Sequence, residues 1–225
     1  MRRIVCLVMM LSVLLLALPS CDKKETNREV DEAVVIAAAA DLIPKSDRIN
    51  RIFWGTGIPI LETEDAETVG KYTEADPAFL EENGFSNIEE LKEMTSLVYD
   101  SVFCKTIFET KLGENDTAED DKITYVRYYQ TKKTSGGTTV YGPIMVHTMA
   151  VVYFDKPVVY HTDTLALCEV RGEIVYLTLD VTVLDDADQP VIQELVVALI
   201  EESDGWRLVN PTYDKYIEPK DEAVA

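Results

Sequence analysis

The apolar and polar positions divide the chain into four stretches. Ile4 to Leu18 is almost wholly apolar and follows two arginines, Arg2 and Arg3. About fifteen residues is too short for a membrane-spanning helix and the right size for a signal-peptide core. Residues 21–32 are polar and charged and read as a tether. From Ala33 to Phe53, Leu42, Ile49, Ile52 and Phe53 fall near one face at helical spacing, and the alanine run Ala37 to Ala40 favours a helix. Pro44 predicts a break or kink near Ile43. Trp54 to Pro59 is a loop or turn. Asp76-Pro77 predicts an N-cap with proline at the first helical position, and Gly84 predicts the stop. Ser86 and Glu89 match a capping box, so a helix is expected from there to about Met94. A second helical stretch is expected from Ser96 to Leu112, ended by Gly113.

From Lys122 the pattern changes to long runs of Val, Ile, Thr and Tyr separated by turn residues. Strands are expected over 123–133, 144–154, 158–170, 174–184, 191–203 and 206–209. Turns fall at Ser135-Gly136-Gly137, Asp155-Lys156-Pro157, Arg171-Gly172, 185–190 and Asp204-Gly205. The expectation is one α+β domain over 33–217, followed by a polar tail at 218–225. N-terminal helices would pack on a curved antiparallel meander of five to six long strands.

Leu18-Pro19-Ser20-Cys21 resembles the lipobox of bacterial lipoproteins. The resemblance implies removal of residues 1–20 and acyl chains on Cys21. It implies a protein tethered at the extracytoplasmic face of a bacterial cell membrane. In a two-membrane cell, Asp22 directly after that cysteine resembles the signal that retains lipoproteins at the inner membrane; in a one-membrane cell it carries no such meaning. The order of elements, with Gly205-Trp206-Arg207-Leu208 after a long strand, is similar to the nuclear-transport-factor-two-like, or cystatin-like, α+β group. That likeness implies a cone-shaped sheet with a pocket at its open end. The Asn50–Phe53 helix end followed by Trp54-Gly55-Thr56-Gly57, with Asp204-Gly205-Trp206 and Pro211-Thr212-Tyr213, also resembles cell-wall DL-endopeptidase inhibitors.

Charge narrows the partners. The formal net charge is −20, and about −22 once residues 1–20 are gone. A surface this acidic repels nucleic acid and anionic headgroups, so attachment to the membrane must come from the acyl chains on Cys21. It suits a cationic partner, or simply keeps the domain soluble. Of four cysteines, Cys104 and Cys168 remain after Cys6 and Cys21 are set aside. They could form one disulfide in an oxidising compartment, although cysteines in core elements are more often buried small apolar residues. No CxxC and no Cys/His cluster points to a metal, and Gly55 and Gly57 alone do not make a phosphate loop, so no cofactor is implied.

Two histidines, His147 and His161, lie in expected strands, and the turn between them makes them neighbours across a hairpin. With Asp163 they could form a His/Asp acid–base set in a pocket. The plainer reading is two strand residues on a half-exposed face. Tyr129 and Tyr153 suit a pocket wall or an interface, and equally a sheet interior. Trp54, between helix and glycine loop, plugs the core or rims a binding site. Cys104 sits in an apolar helical stripe, where a thiol is inert. The preferred expectation is a non-enzymatic binding module for an envelope protein or cell-wall component, with inhibition of a cell-wall hydrolase as one form. The alternative is a ligand-binding or enzymatic pocket of the same fold using His147, His161 and tyrosines.

Overall fold

The structure, a computed structural model, describes residues 29–115, 126–153, 155–185 and 187–212. The signal segment, Cys21, residues 22–28 of the tether, residues 116–125 (an acidic run, Asp116 to Asp121, and the start of the strand expected over 123–133), Tyr213 and the C-terminal tail lie outside the described residues. No helix among the described residues is long and apolar enough to cross a membrane.

Helix α1 (Glu32–Phe53) is capped by Asp31, whose carboxylate accepts from the Ala33 and Val34 amides. Val35, Ala39, Leu42, Ile43, Ile49, Ile52 and Phe53 form its buried face. A fully buried aliphatic side chain of this kind contributes roughly 1.5–3 kcal/mol relative to an exposed one. The expected break at Pro44 does not occur; the helix runs through it. Pro44 lies on the exposed face, where the Ala40 carbonyl it leaves unbonded can turn to water. Burial of the opposite face on both sides of the proline holds the two halves in line.

Helix α2 (Pro77–Asn83) matches expectation, with Asp76 as cap, proline at its start and Gly84 in the left-handed conformation (φ 77°). Helix α3 (Ile88–Ser96) is capped one residue later than expected. Asn87 accepts from the Glu90 amide, and Glu90 reaches back to the Ser86 amide and hydroxyl. Those bonds lower the Glu90 pKa. Helix α4 (Ser101–Lys111) starts five residues later than expected. Val98 and Asp100 exchange backbone bonds with Leu208 instead of continuing a helix, and the Asp100 side chain then caps α4.

Nine strands complete the described residues: β1 (Thr68–Val69), β2 (Tyr72–Glu74), β3 (Leu112–Asn115), β4 (Tyr128–Ser135), β5 (Thr138–His147), β6 (Val159–Arg171), β7 (Ile174–Leu184), β8 (Pro190–Glu202) and β9 (Gly205–Leu208). The domain is α+β, but its strands form two open sheets rather than one meander. The first has order β1-β2-β5-β4-β3 and is mixed, because β3 runs parallel to β4. The second, β6-β7-β8-β9, is antiparallel. The chain leaves the ladder after His147, and the strand expected over 144–154 instead starts at Thr138 and ends at His147. Gly136 and Gly137, both at positive φ, close the β4–β5 hairpin as a two-residue turn. Gly113 does not end a helix. It pairs with Tyr129 in β3, where a Cβ would lie 2.9 Å from Val126 Cγ2.

Strand β7 alternates strictly, burying Val175, Leu177, Leu179, Val181 and Val183. These meet Leu195, Val197 and Leu199 of β8 and the apolar face of α1 in one core that also takes in Tyr128 and Ile144 of the first sheet. A second, small cluster of Tyr72, Tyr129 and Met145 lies within the first sheet. Within the main core is a polar cluster. Tyr99 donates to Asn50 Oδ1 at 2.6 Å and shares a 2.7 Å bond with Ser46; Ser46 and Asn50 both reach Thr212 Oγ1 at 3.1 Å.

Candidate functional site

Two concavities border strand β5. The larger, about 440 Å³, is where α2 and the turn into α3 meet β5. Its floor is apolar (Ala75, Leu80, Phe85, Ile144) and its rim carries Glu74, Glu81 and Glu90. Two of these carboxylates are already engaged: Glu74 accepts from the Glu67 amide, and Glu90 holds Ser86. Glu81 is exposed.

The smaller, about 230 Å³, is built where α4 ends, β4 begins and the chain turns after β5. Lys111 and Arg127 line it, with His147, Met149, Val151 and Tyr153. Lys111 is the last residue of α4, where a cation complements the helix C-terminus. Its ammonium stands 5.1 Å over the Tyr153 ring. Burial, and next the Arg127 charge, lower its pKa. Arg127 is 6 % exposed. Its guanidinium caps the end of α1, donating to the carbonyls of Phe53 (3.1 Å) and Gly55 (2.6 Å), and further to Val151 O (3.3 Å) and the Tyr128 hydroxyl (2.9 Å). Tyr128 in turn donates to Ile52 O at 2.5 Å. Gly57 makes room for this cap: a Cβ there would lie 2.4 Å from Arg127 Nη2.

His147 closes β5 opposite Tyr72, whose ring it meets edge-on at 4.9 Å. Its Nδ1 accepts from the Met149 amide at 3.2 Å, so the neutral ring carries its proton on Nε2. Burial, and next the charge of Lys71, lower its pKa.

His147 and His161 are not neighbours across a hairpin. His147 ends the first sheet, whereas His161 sits in β6 of the second, opposite Asp180, with its Nε2 2.8 Å from Thr182 Oγ1. The chain changes sheets between them, so no His/Asp set with Asp163 forms. Tyr153 shares the smaller cavity with His147. Tyr129 is buried in the small cluster, edge-on to Tyr72 at 4.8 Å. Trp54 is 6 % exposed and stacked on Phe103 at 5.9 Å, inside the core rather than on a rim. Cys104 is buried and its thiol, bonded to Tyr99 O at 3.4 Å, is pushed up to about 11, chiefly by burial. Cys168 is exposed, and both thiols are free.

Lys111 and Arg127 were not singled out in the sequence. The signal was present: Arg127 is a lone charge in the run Ile123 to Tyr129, and Lys111 ends an apolar helical stripe. Among the described residues no three of His, Cys, Asp and Glu gather as a metal set; the acidic run that includes 116–121 lies outside them. No model of a known protein family matches this chain, and no curated protein matches it.

Proposed function

We propose that this chain is a lipid-anchored, extracytoplasmic, non-enzymatic binding module that holds an envelope protein or cell-wall component. Cys21 with its acyl chains would fix it to the membrane, and residues 22–30 would space the domain from the surface. The cleft at α2 and β5 carries the reading: an apolar floor under a carboxylate rim, in a chain of net charge −20, complements a basic, partly apolar segment of a partner. Inhibition of a wall hydrolase is the form suggested by the resemblance around Trp54 and Trp206. The resemblance to nuclear-transport-factor-two-like domains rests on the order of elements, and α1 against the β6–β9 sheet is the part that supports it. Nucleic acid is an unsuitable partner on charge alone.

The test is photo-cross-linking of the native lipoprotein in whole cells, with the probe at exposed Glu82 beside the cleft and Cys21→Ala as the mislocalised control. A discrete envelope protein or wall fragment, captured from the anchored form and lost with Glu81→Lys, is the expected result. No capture from the anchored, folded protein would overturn the reading. So would catalytic turnover that disappears with His147→Ala or His161→Ala while the fold persists.

A further inference from the structure

The chain carries forty-one acidic residues and twenty-one basic ones. Yet the described lining of the 230 Å³ cavity contains a lysine, an arginine, a histidine and no carboxylate. Structural duties account for part of this. Arg127 caps α1 through carbonyl oxygens and a phenol, all neutral groups, so its charge is oriented but not cancelled. Lys111 has no carboxylate partner among the described residues; its carbonyl accepts from the Arg127 amide at 3.0 Å, and its ammonium meets the face of Tyr153.

Two partly desolvated like charges close to each other raise each other's energy, and an anion between them would relieve both. Among the described residues the lining is cationic, with three ammonium donors from Lys111 and a histidine whose Nε2 bears the proton in the neutral ring. Met149, Val151 and Tyr153 supply apolar wall beside these donors. At about 230 Å³ the space lies below the usual range for drug-sized ligands, so it fits a small molecule or the end of a chain.

We propose that this cavity is a binding site for a small oxyanion, a carboxylate or a phosphoryl group, held by Lys111 and His147 within the fixed field of Arg127. The assignment is independent of the cleft at α2 and of any protein partner docked there. Lys111 would supply the direct charge-assisted bonds, since four of the five Arg127 N–H groups are already spent.

Calorimetric titration of the full chain in detergent with inorganic phosphate and, separately, with acetate tests it, chloride holding the ionic strength constant. Saturable binding of at least one anion is expected, weakened at least tenfold by Lys111→Met, which keeps the stem over Tyr153. Phosphate alone would identify a phosphoryl site, acetate alone a carboxylate site, and both the shared chemistry. Val151→Glu is a second variant: Val151 is exposed, so the fold should tolerate a carboxylate there, and that carboxylate would occupy the site and abolish binding. No saturable heat with either anion, or equal affinity in wild type and in a folded Lys111→Met or Val151→Glu, would overturn the proposal.

Discussion

Replacing Tyr99 with phenylalanine removes one oxygen from the middle of the core and leaves the ring in place. Tyr99 is 1 % exposed, and its hydroxyl donates to Asn50 Oδ1 at 2.6 Å while sharing a 2.7 Å bond with Ser46. Burial pushes the phenol pKa up, so the group remains a donor at any working pH. After the substitution Ser46 keeps Asn50 and Thr212 as partners. Asn50 Oδ1 has no other described donor and becomes a buried, unsatisfied acceptor. Such a group costs about 1–3 kcal/mol, and the ring still fills its space, so no cavity term is added. The expected loss is about 2 kcal/mol, or roughly 4–8 °C in Tm for a domain of this size. Urea unfolding followed by tryptophan fluorescence is a suitable assay, because Trp54 is buried and Trp206 packs against the core. The midpoint should fall with the slope unchanged. In an Asn50→Leu background the same substitution should lose most of its effect, because the orphaned acceptor is already gone. A loss below about 0.5 kcal/mol in the wild-type background, or an undiminished loss beside Asn50→Leu, would refute the assignment of the penalty to Asn50.

Other outcomes follow from single contacts. Gly57→Ala should destabilise by about 2 kcal/mol or more, because positive φ (83°) is compounded by a 2.4 Å approach to Arg127 Nη2; Gly84→Ala, at φ 77° with nothing within 4 Å, should cost about 1–2 kcal/mol. Equal chemical-denaturation midpoints for the two would remove the clash from the account. Under native conditions near pH 8, alkylation mapped by mass spectrometry should modify Cys168 readily and Cys104 only after denaturation, since Cys104 is buried and raised to about 11. For His147 the native pKa lies below the unfolded value, so the unfolded state binds more protons in that interval. Its contribution is therefore complete above about pH 6.5 and declines as pH falls toward the native value; stability profiles of wild type and His147→Gln that coincide across this window would contradict it.

Much of the second sheet was legible because its information is local. Ile174–Leu184 alternates with period two between a glycine turn and an acidic turn, and β7 occupies those same residues. Asp204-Gly205 and Gly136-Gly137 turn the chain where expected, since few residues tolerate such backbone angles. Asp76-Pro77 and Gly84 bound α2 for the same kind of reason. In the candidate cavity, His147 and Tyr153 were among the residues named from the sequence. Lys111 and Arg127 were not, because a charge on a helix end or in a strand acquires meaning only from what packs beside it.

The sequence by itself determined the α+β class, the cap and stop of α2, the start of α3 to within a residue, the hairpin turns near where they occur, and the acidic composition, all set by neighbours along the chain. Tertiary structure alone decided how those pieces share partners. Val98–Asp100 leaves the helical pattern because Leu208, more than a hundred residues away, offers its backbone bonds. Helix α1 ignores Pro44 because its opposite face is buried along its length. The strands divide into two sheets because the chain leaves one ladder at His147 and enters another at Val159. That division separates His147 from His161 and brings His147 beside Lys111 and Arg127 instead. Burial and charge proximity depend on contacts between distant segments, and no spacing within a single segment encodes them.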